Sequence, residues 1–323
     1  MTAENFYNSH RLSVQQLGWL EPFQVLLGKK SPHDYGLNPT MTAKFRKRVI
    51  TKLNTYWLIA AARSVLGSAV FAAVYMNEKE YDENHLKLIW CIVLTIWCHL
   101  NSVIIYVTLA FFDCVCYYFR IRYMKVNDDI ETVLHNKEKF KQDERIRFMQ
   151  HILHEHNHLC SKVDEYNLFW SRFISHVFFV FTPVTIYGLY QAIFAQHTWI
   201  EIVLLSLVAV EGWSIISLMC FSGAFLNDQA HAPYMQLIRC MFEYYPPDIH
   251  LQMRILVQRV SGPAIAFYCS DLFEVAHTSY FAICMALGQN FFLLVDFVQA
   301  NLAAANMQTN STTTAVTATE ASL

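Results

Sequence analysis

The sequence predicts an all-α, polytopic transmembrane protein with about five spans, a cytosolic N-terminus and a cytosolic anchor of packed helices. Three observations carry this. The 323-residue chain is 54% hydrophobic and 15% aromatic but only 15% charged, whereas soluble domains carry about 25% charged residues. Its mean hydropathy is +0.25. Apolar runs of the ~20 residues that cross ~30 Å of hydrocarbon recur along it, separated by polar stretches.

Residues 1–53 read as a cytosolic N-terminal segment. They lack a long apolar core followed by a small-residue cleavage site, so no removable signal peptide is expected. Residues 54–119 form a first transmembrane hairpin, with spans at "NTYWLIAAARSVLGSAVFAAVYM" (54–76) and from Leu86 to about Phe119. The second is long enough to project beyond the bilayer. Residues 120–167 mix charges with Ile146, Met149, Ile152, Leu153, Leu159 and Val163 at helical spacing, which predicts a helix extending below the membrane. A second hairpin occupies 168–226, its spans at 168–194 and 199–226. Residues 227–277 read as cytosolic anchor helices broken at Pro246-Pro247. Within them, 251–275 are apolar but interrupted by Arg254, Arg259, Pro263 and Asp271, and so read as a buried or interfacial helix. The last transmembrane helix takes 278–300. Residues 301–323 are a Thr-rich tail, expected to be disordered and extracellular, with a glycosylation sequon at Asn310.

Loop charge sets the orientation. Lys44, Arg46, Lys47, Arg48 and Lys52 precede the first span, and Glu78, Glu80, Asp82 and Glu83 follow it. The positive-inside rule puts the first group in the cytosol, and Arg120, Arg122 and Lys125 after the second span agree. Five crossings leave the C-terminus outside, and the expected home is the plasma membrane.

Composition also narrows the chemistry. A net charge of −2 gives no basic field for nucleic acid. Neither a phosphate-cradling G-x-x-x-x-G-K nor a dinucleotide G-x-G-x-x-G is present, so no nucleotide enzyme and no cofactor is expected. Nine cysteines, an odd number, lie in or beside apolar runs without a C-x-x-C and read as buried free thiols.

One motif points the other way. His154-Glu155-His156-Asn157-His158 is a literal H-E-x-x-H, which on a helix places His154 and His158 on one face for zinc with Glu155 as general base. A zinc peptidase needs a third ligand. Ser161 and Asp164 stand where a metzincin has Gly and His, and the alternatives Glu201 and Glu211 lie in or across the membrane. Residues 151–160 hold four of the 14 histidines, which favours a chance match and a packed or solvated helix. The expectation is no enzyme and no metal.

Ionisable groups inside the bilayer cost about 2.5–3.5 kcal/mol when unpaired, so each is expected to find a partner. Arg63 and Asp113 lie at similar depths and are expected to pair within the first hairpin. His99 and Glu211 lie near mid-membrane and read either as a structural pair or as ligand contacts. Trp90, Trp97, Tyr187 and Tyr190 occupy the outer half, as pocket lining, interfacial belt or core.

The C-terminal third resembles the arthropod gustatory and odorant receptors, seven-helix chemoreceptors that form ligand-gated cation channels. Gustatory members end in T-Y, five hydrophobics, Q-F. This chain has Gln289-Asn290-Phe291-Phe292-Leu293-Leu294-Val295-Asp296-Phe297, which keeps the frame, the five hydrophobics and the closing Phe. Gln-Asn replaces Thr-Tyr, and Asp replaces Gln. "LVQRVSGPAIAFY" (256–268) and "HNHLCSKVDEYNLFW" (156–170) are similar to the family's approach to the last helix and its run into the fifth. Thr278-Ser279-Tyr280 offers a second register. The likeness covers roughly 150–300, and the family has seven spans where five are found here.

The resemblance implies four subunits, homo- or heteromeric, each giving its last helix to a central pore opened by a small molecule. Gln289, Leu293, Asp296 and Phe297 follow i, i+4, i+7, i+8 and share one face. Leu293 and Phe297 would then be hydrophobic constrictions, and Asp296 an acidic ring favouring cations. The competing functions are the zinc peptidase and a non-channel membrane scaffold of the same fold. A heptahelical G-protein-coupled receptor needs an outside N-terminus, contrary to the loop charges.

Overall fold

A computed structural model of the chain describes residues 22, 25, 26, 37–77, 84–136, 140–194, 198–270 and 272–320, with side chains between 37 and 301 apart from 70–88 and a few others. The helices are α1 (Pro39–Asn77), α2 (Asn84–His135), α3 (Gln142–Phe194), α4 (Trp199–His231), α5 (Tyr234–Met241), α6 (Pro247–Ser261) and α7 (His277–Glu320). A two-residue ribbon, β1 (Tyr268–Cys269) antiparallel to β2 (Phe273–Glu274), lies between α6 and α7.

Local sequence explains several boundaries. At the start of α4 the Thr198 backbone N–H donates to Glu201 Oε2 at 2.8 Å, a carboxylate three residues into the helix capping its first turn. Asp143 and Glu144 lie in the first turn of α3, where the helix dipole favours negative charge. Pro247 opens α6 at a position where its missing N–H costs nothing, and Gly262-Pro263 ends it.

Among the described residues four helices are long and apolar enough to cross a membrane, at Ile92–His135, Gln142–Phe194, Glu201–Met241 and His277–Asn301. They carry the second to fifth expected spans. The first, 54–76, lies in α1, and its last third falls where side chains are not described. At 1.5 Å per residue α2 and α3, of 52 and 53 residues, reach about 80 Å. A ~30 Å hydrocarbon layer covers less than half of that, so both project well beyond it.

The chain divides into two compact units, residues 1–176 with 217–277, and residues 177–216 with 278–323. The first holds the densest core. Tyr118, Tyr123, Val126 and Ile130 of α2, Met149, Ile152, Val163 and Trp170 of α3, Met219 and Leu226 of α4, and Met253 and Leu256 of α6 are all buried. Arg145 pairs with Glu243, and Asn127 Nδ2 donates to the Gln229 carbonyl at 2.9 Å, stitching this core at its polar end. In the second unit α3 and α4 run antiparallel at close range. A Cβ on Gly188 would lie 3.2 Å from the Leu205 carbonyl oxygen, the small-residue packing typical of membrane helices.

Three expectations are corrected. The projecting helix is not continuous over 120–167, because α2 ends at His135 and α3 starts at Gln142. The segment 251–275 is not one helix: Gly262 and Pro263 stop α6, and the chain turns into the ribbon through Ser270 at φ 43°. α7 runs to Glu320, where a disordered tail was expected from 301; no Gly or Pro stands between Gly288 and Glu320 to stop it. Residues 321–323 lie outside the described residues.

Candidate pore face and intramembrane polar groups

α7 presents two faces. One packs within the second unit, where Leu287 is buried, Tyr280 lies edge-on to Trp213 at 6.1 Å, and Phe291 meets Phe194 at 6.1 Å. The other carries Gln289, Leu293, Asp296 and Phe297, all exposed, together with Phe281, Met285 and Phe292. Only 6% of the apolar window of α7 is buried inside the chain, against 18–28% for the other three helices. Of the four, α7 has the least of its apolar surface covered by its own chain. Among the described residues Asp296 has no ion partner.

In the α1–α2 hairpin the polar side chains pair across an antiparallel register. Arg63 Nη1 donates to Ser102 Oγ at 2.8 Å, and His99 Nδ1 lies 3.0 Å from Ser64 Oγ. Lys52 Nζ is 3.6 Å from Asp113 Oδ2, whose other oxygen accepts from the Ser222 hydroxyl at 2.7 Å. The expected Arg63–Asp113 pair is therefore not formed. Arg63 lies eleven residues past Lys52 on α1, which at 1.5 Å per residue is about 16 Å along the axis.

The six residues considered for a ligand pocket fall in both units. Trp90, Trp97 and His99 belong to the first, where both tryptophans are exposed and His99 is held on Ser64. Tyr187, Tyr190 and Glu211 belong to the second, with Tyr187 exposed and Tyr190 stacked on Phe194 at 5.5 Å.

The histidine run is engaged otherwise than a zinc site requires. Arg122, buried on α2, pairs with Glu155 and donates to the Tyr118 hydroxyl at 2.9 Å. His154 and His158 are exposed. Among the described residues no three His, Cys, Asp or Glu side chains gather where they could hold a metal. The histidine that matters structurally is His156, which is fully buried. Its Nε2–H donates to the Ala230 carbonyl at 3.3 Å, leaving Nδ1 to accept from the Cys160 thiol at 3.5 Å, which itself accepts from Tyr123 at 3.4 Å. This part of α3 lies outside the apolar stretch 168–194, and burial pushes His156 down to about 4. The signal is legible in the spacing: His156 continues the buried stripe of Ile152, Leu159 and Val163.

The fold is similar to that of the insect olfactory receptor OR5 from Machilis hrabei. Against that receptor in complex with eugenol the TM-score is 0.64 at 10% sequence identity, covering 82% of this chain and 70% of that one. Against a second structure of the same receptor it is 0.64 at 11% identity, covering 87% and 75%. No protein-family model and no curated protein matches the chain in sequence. At such low identity the likeness is one of architecture. The chain shares the helical fold of these two receptor structures.

Proposed function

We propose that the chain is a subunit of a chemoreceptor-like, ligand-gated cation channel and has no enzymatic activity. One observation carries the reading: the face of α7 that its own chain leaves uncovered is the face bearing Gln289, Leu293, Asp296 and Phe297. Asp296 lies four residues from the end of the expected span 278–300, and a carboxylate facing lipid there carries part of the about 2.5–3.5 kcal/mol that it costs at the bilayer centre. A wet axis shared with copies of the same helix removes that cost. Four subunits, identical or related, would set Asp296 as an acidic ring and Leu293 and Phe297 as apolar rings on the conduction path.

The partners are then lipid, sister subunits and a small-molecule ligand that binds the open arrangement more tightly than the closed one. The neighbouring receptor's complex with eugenol supports a small organic ligand. Tyr187, Tyr190 and Glu211 are the second unit's candidates to contact it, and Trp90, Trp97 and His99 the first's. Loop charge supports a plasma-membrane protein with its N-terminus in the cytosol and its C-terminus outside. The pairing of Glu155 with Arg122 counts against zinc peptidase chemistry, which needs that carboxylate free to act as a base.

Current recording after expression in cells tests this. Cation current that turns anion-permeable in Asp296→Lys supports the pore. Cysteine at 296 that fails to crosslink between chains of an assembled complex overturns it and leaves the scaffold.

A further inference from the structure

The strongest unassigned feature is a cleft of about 430 Å³ along α1, lined by Lys44, Lys47, Arg48, Lys52, Thr55 and Tyr117 among others. Its four cations fall at i, i+3, i+4 and i+8 on one face of the helix. Lys44, Lys47 and Arg48 are exposed. The Arg48 guanidinium lies 4.2 Å over the Tyr117 ring, a stacking that occupies the face of its plane and not the N–H donors at its edge. Lys52 is held at one side by Asp113. With that pair neutral, three positive charges remain, and Lys44 and Lys47 have no ion partner among the described residues.

The position of the stripe decides the ligand. Immediately beyond Lys52, α1 turns apolar, with Leu53, Trp57 and Leu58 exposed on its surface. A basic face abutting exposed apolar residues and a tryptophan is the arrangement of a helix crossing the membrane–water boundary. Helical residues at this depth meet lipid headgroups, and clustered Lys and Arg there favour those with the most negative charge. A phosphate monoester offers up to two charges and three acceptor oxygens to such donors. A cleft of this volume falls within the range of small-molecule sites.

We propose that this cleft binds the phosphorylated headgroup of an anionic lipid, held by Lys44, Lys47 and Arg48 with its acyl chains beside Leu58 and Ile59, exposed on the same face of α1. The proposal rests on α1 crossing the membrane and is independent of conduction through α7.

The test uses the full-length chain in detergent, with bound lipid counted by native mass spectrometry. Short-chain phosphatidylinositol bisphosphate, phosphatidylserine and soluble inositol trisphosphate are titrated separately. Each basic residue near an anionic surface is worth about fivefold. Lys44→Gln/Lys47→Gln is therefore expected to weaken the bisphosphate lipid about thirtyfold, and Lys44→Arg/Lys47→Arg to preserve binding. Unchanged binding in the Gln pair overturns the proposal, as does loss in the Arg pair. Equal retention of phosphatidylserine overturns the preference for a phosphorylated headgroup. Inositol trisphosphate binding as tightly as the lipid assigns the cleft to a free phosphate compound and overturns the lipid.

Discussion

Lys52 on α1 and Asp113 on α2 stand 3.6 Å apart, and because Ser222 of α4 donates to the same carboxylate at 2.7 Å, Asp113 ties three helices together. Asp113→Ala strips two polar groups of their acceptor at once and is expected to cost about 1–3 kcal/mol. Lys52→Gln costs less than about 1 kcal/mol, since the lysine is 38% exposed and solvent screens it. A double-mutant cycle on thermal unfolding in detergent checks the register: coupling between positions 52 and 113 should be measurable, and coupling between 63 and 113 near zero. The reverse result would restore the Arg63–Asp113 pairing.

Gly223 on α4 lies against the segment that leads into α7. A Cβ there would meet the Val275 carbonyl oxygen at 2.8 Å and its side chain at 2.7 Å. Backbone cannot swing aside as a side-chain tip can, so Gly223→Ala is expected to destabilise by about 1–3 kcal/mol through overpacking. Gly67→Ala is the control, because nothing lies within 4 Å of its added methyl. Equal melting temperatures for the two variants would refute the close packing.

His156 predicts acid sensitivity. Burial holds its folded pKa at about 4, against about 6.5 when unfolded. A depressed histidine pKa means the unfolded chain binds the extra proton, so stability is complete above pH 6.5 and falls as the pH drops toward 4. The full loss is about 3 kcal/mol. His156→Gln, which keeps a donor for the Ala230 carbonyl, should flatten unfolding free energy across that window. An unchanged pH slope in the variant would place the titrating group elsewhere.

Arg122 is buried and pairs with Glu155, so Glu155→Gln removes a counter-charge from a buried guanidinium. The expected outcome is a loss of roughly 3 kcal/mol in stability. His154→Ala and His158→Ala change only exposed side chains and should shift stability by less than about 0.5 kcal/mol. A zinc peptidase would show the opposite pattern, with metal content falling in the histidine variants and proteolysis abolished at Glu155.

Apolar run length is a one-dimensional property, which is why the second to fifth spans are legible in the sequence. Which charges meet is not. The register of α1 on α2 is a property of how the two helices pack and not of either apolar run, and a shift of eleven positions exchanges Arg63 for Lys52 opposite Asp113. Pro263 is visible as an interruption, yet the sequence does not show that the freed segment pairs with Phe273–Glu274 or that the Tyr268 N–H donates to the Asn167 side chain at 2.8 Å. The α7 face is legible from i, i+4, i+7, i+8 spacing alone, because a single helix fixes which residues share a side.

Leu293 and Phe297 are 65% and 66% exposed on α7, while Leu287, six residues before Leu293, is 6% exposed and packs within its own chain. Truncating each to alanine therefore separates folding from gating. Leu287→Ala removes buried methyl groups and is expected to cost about 2–4 kcal/mol. Leu293→Ala and Phe297→Ala remove groups that the single chain never buries, so an isolated subunit should lose less than about 1 kcal/mol. If these side chains ring a pore, shrinking them wets the constriction and raises current without ligand, since apolar constrictions close by excluding water. Basal current in patch recordings and melting temperature of the purified subunit are measured together. A large melting loss at 293 or 297 would mean the face is internal packing, and unaltered basal current in a folded, ligand-responsive variant would mean the pore runs elsewhere.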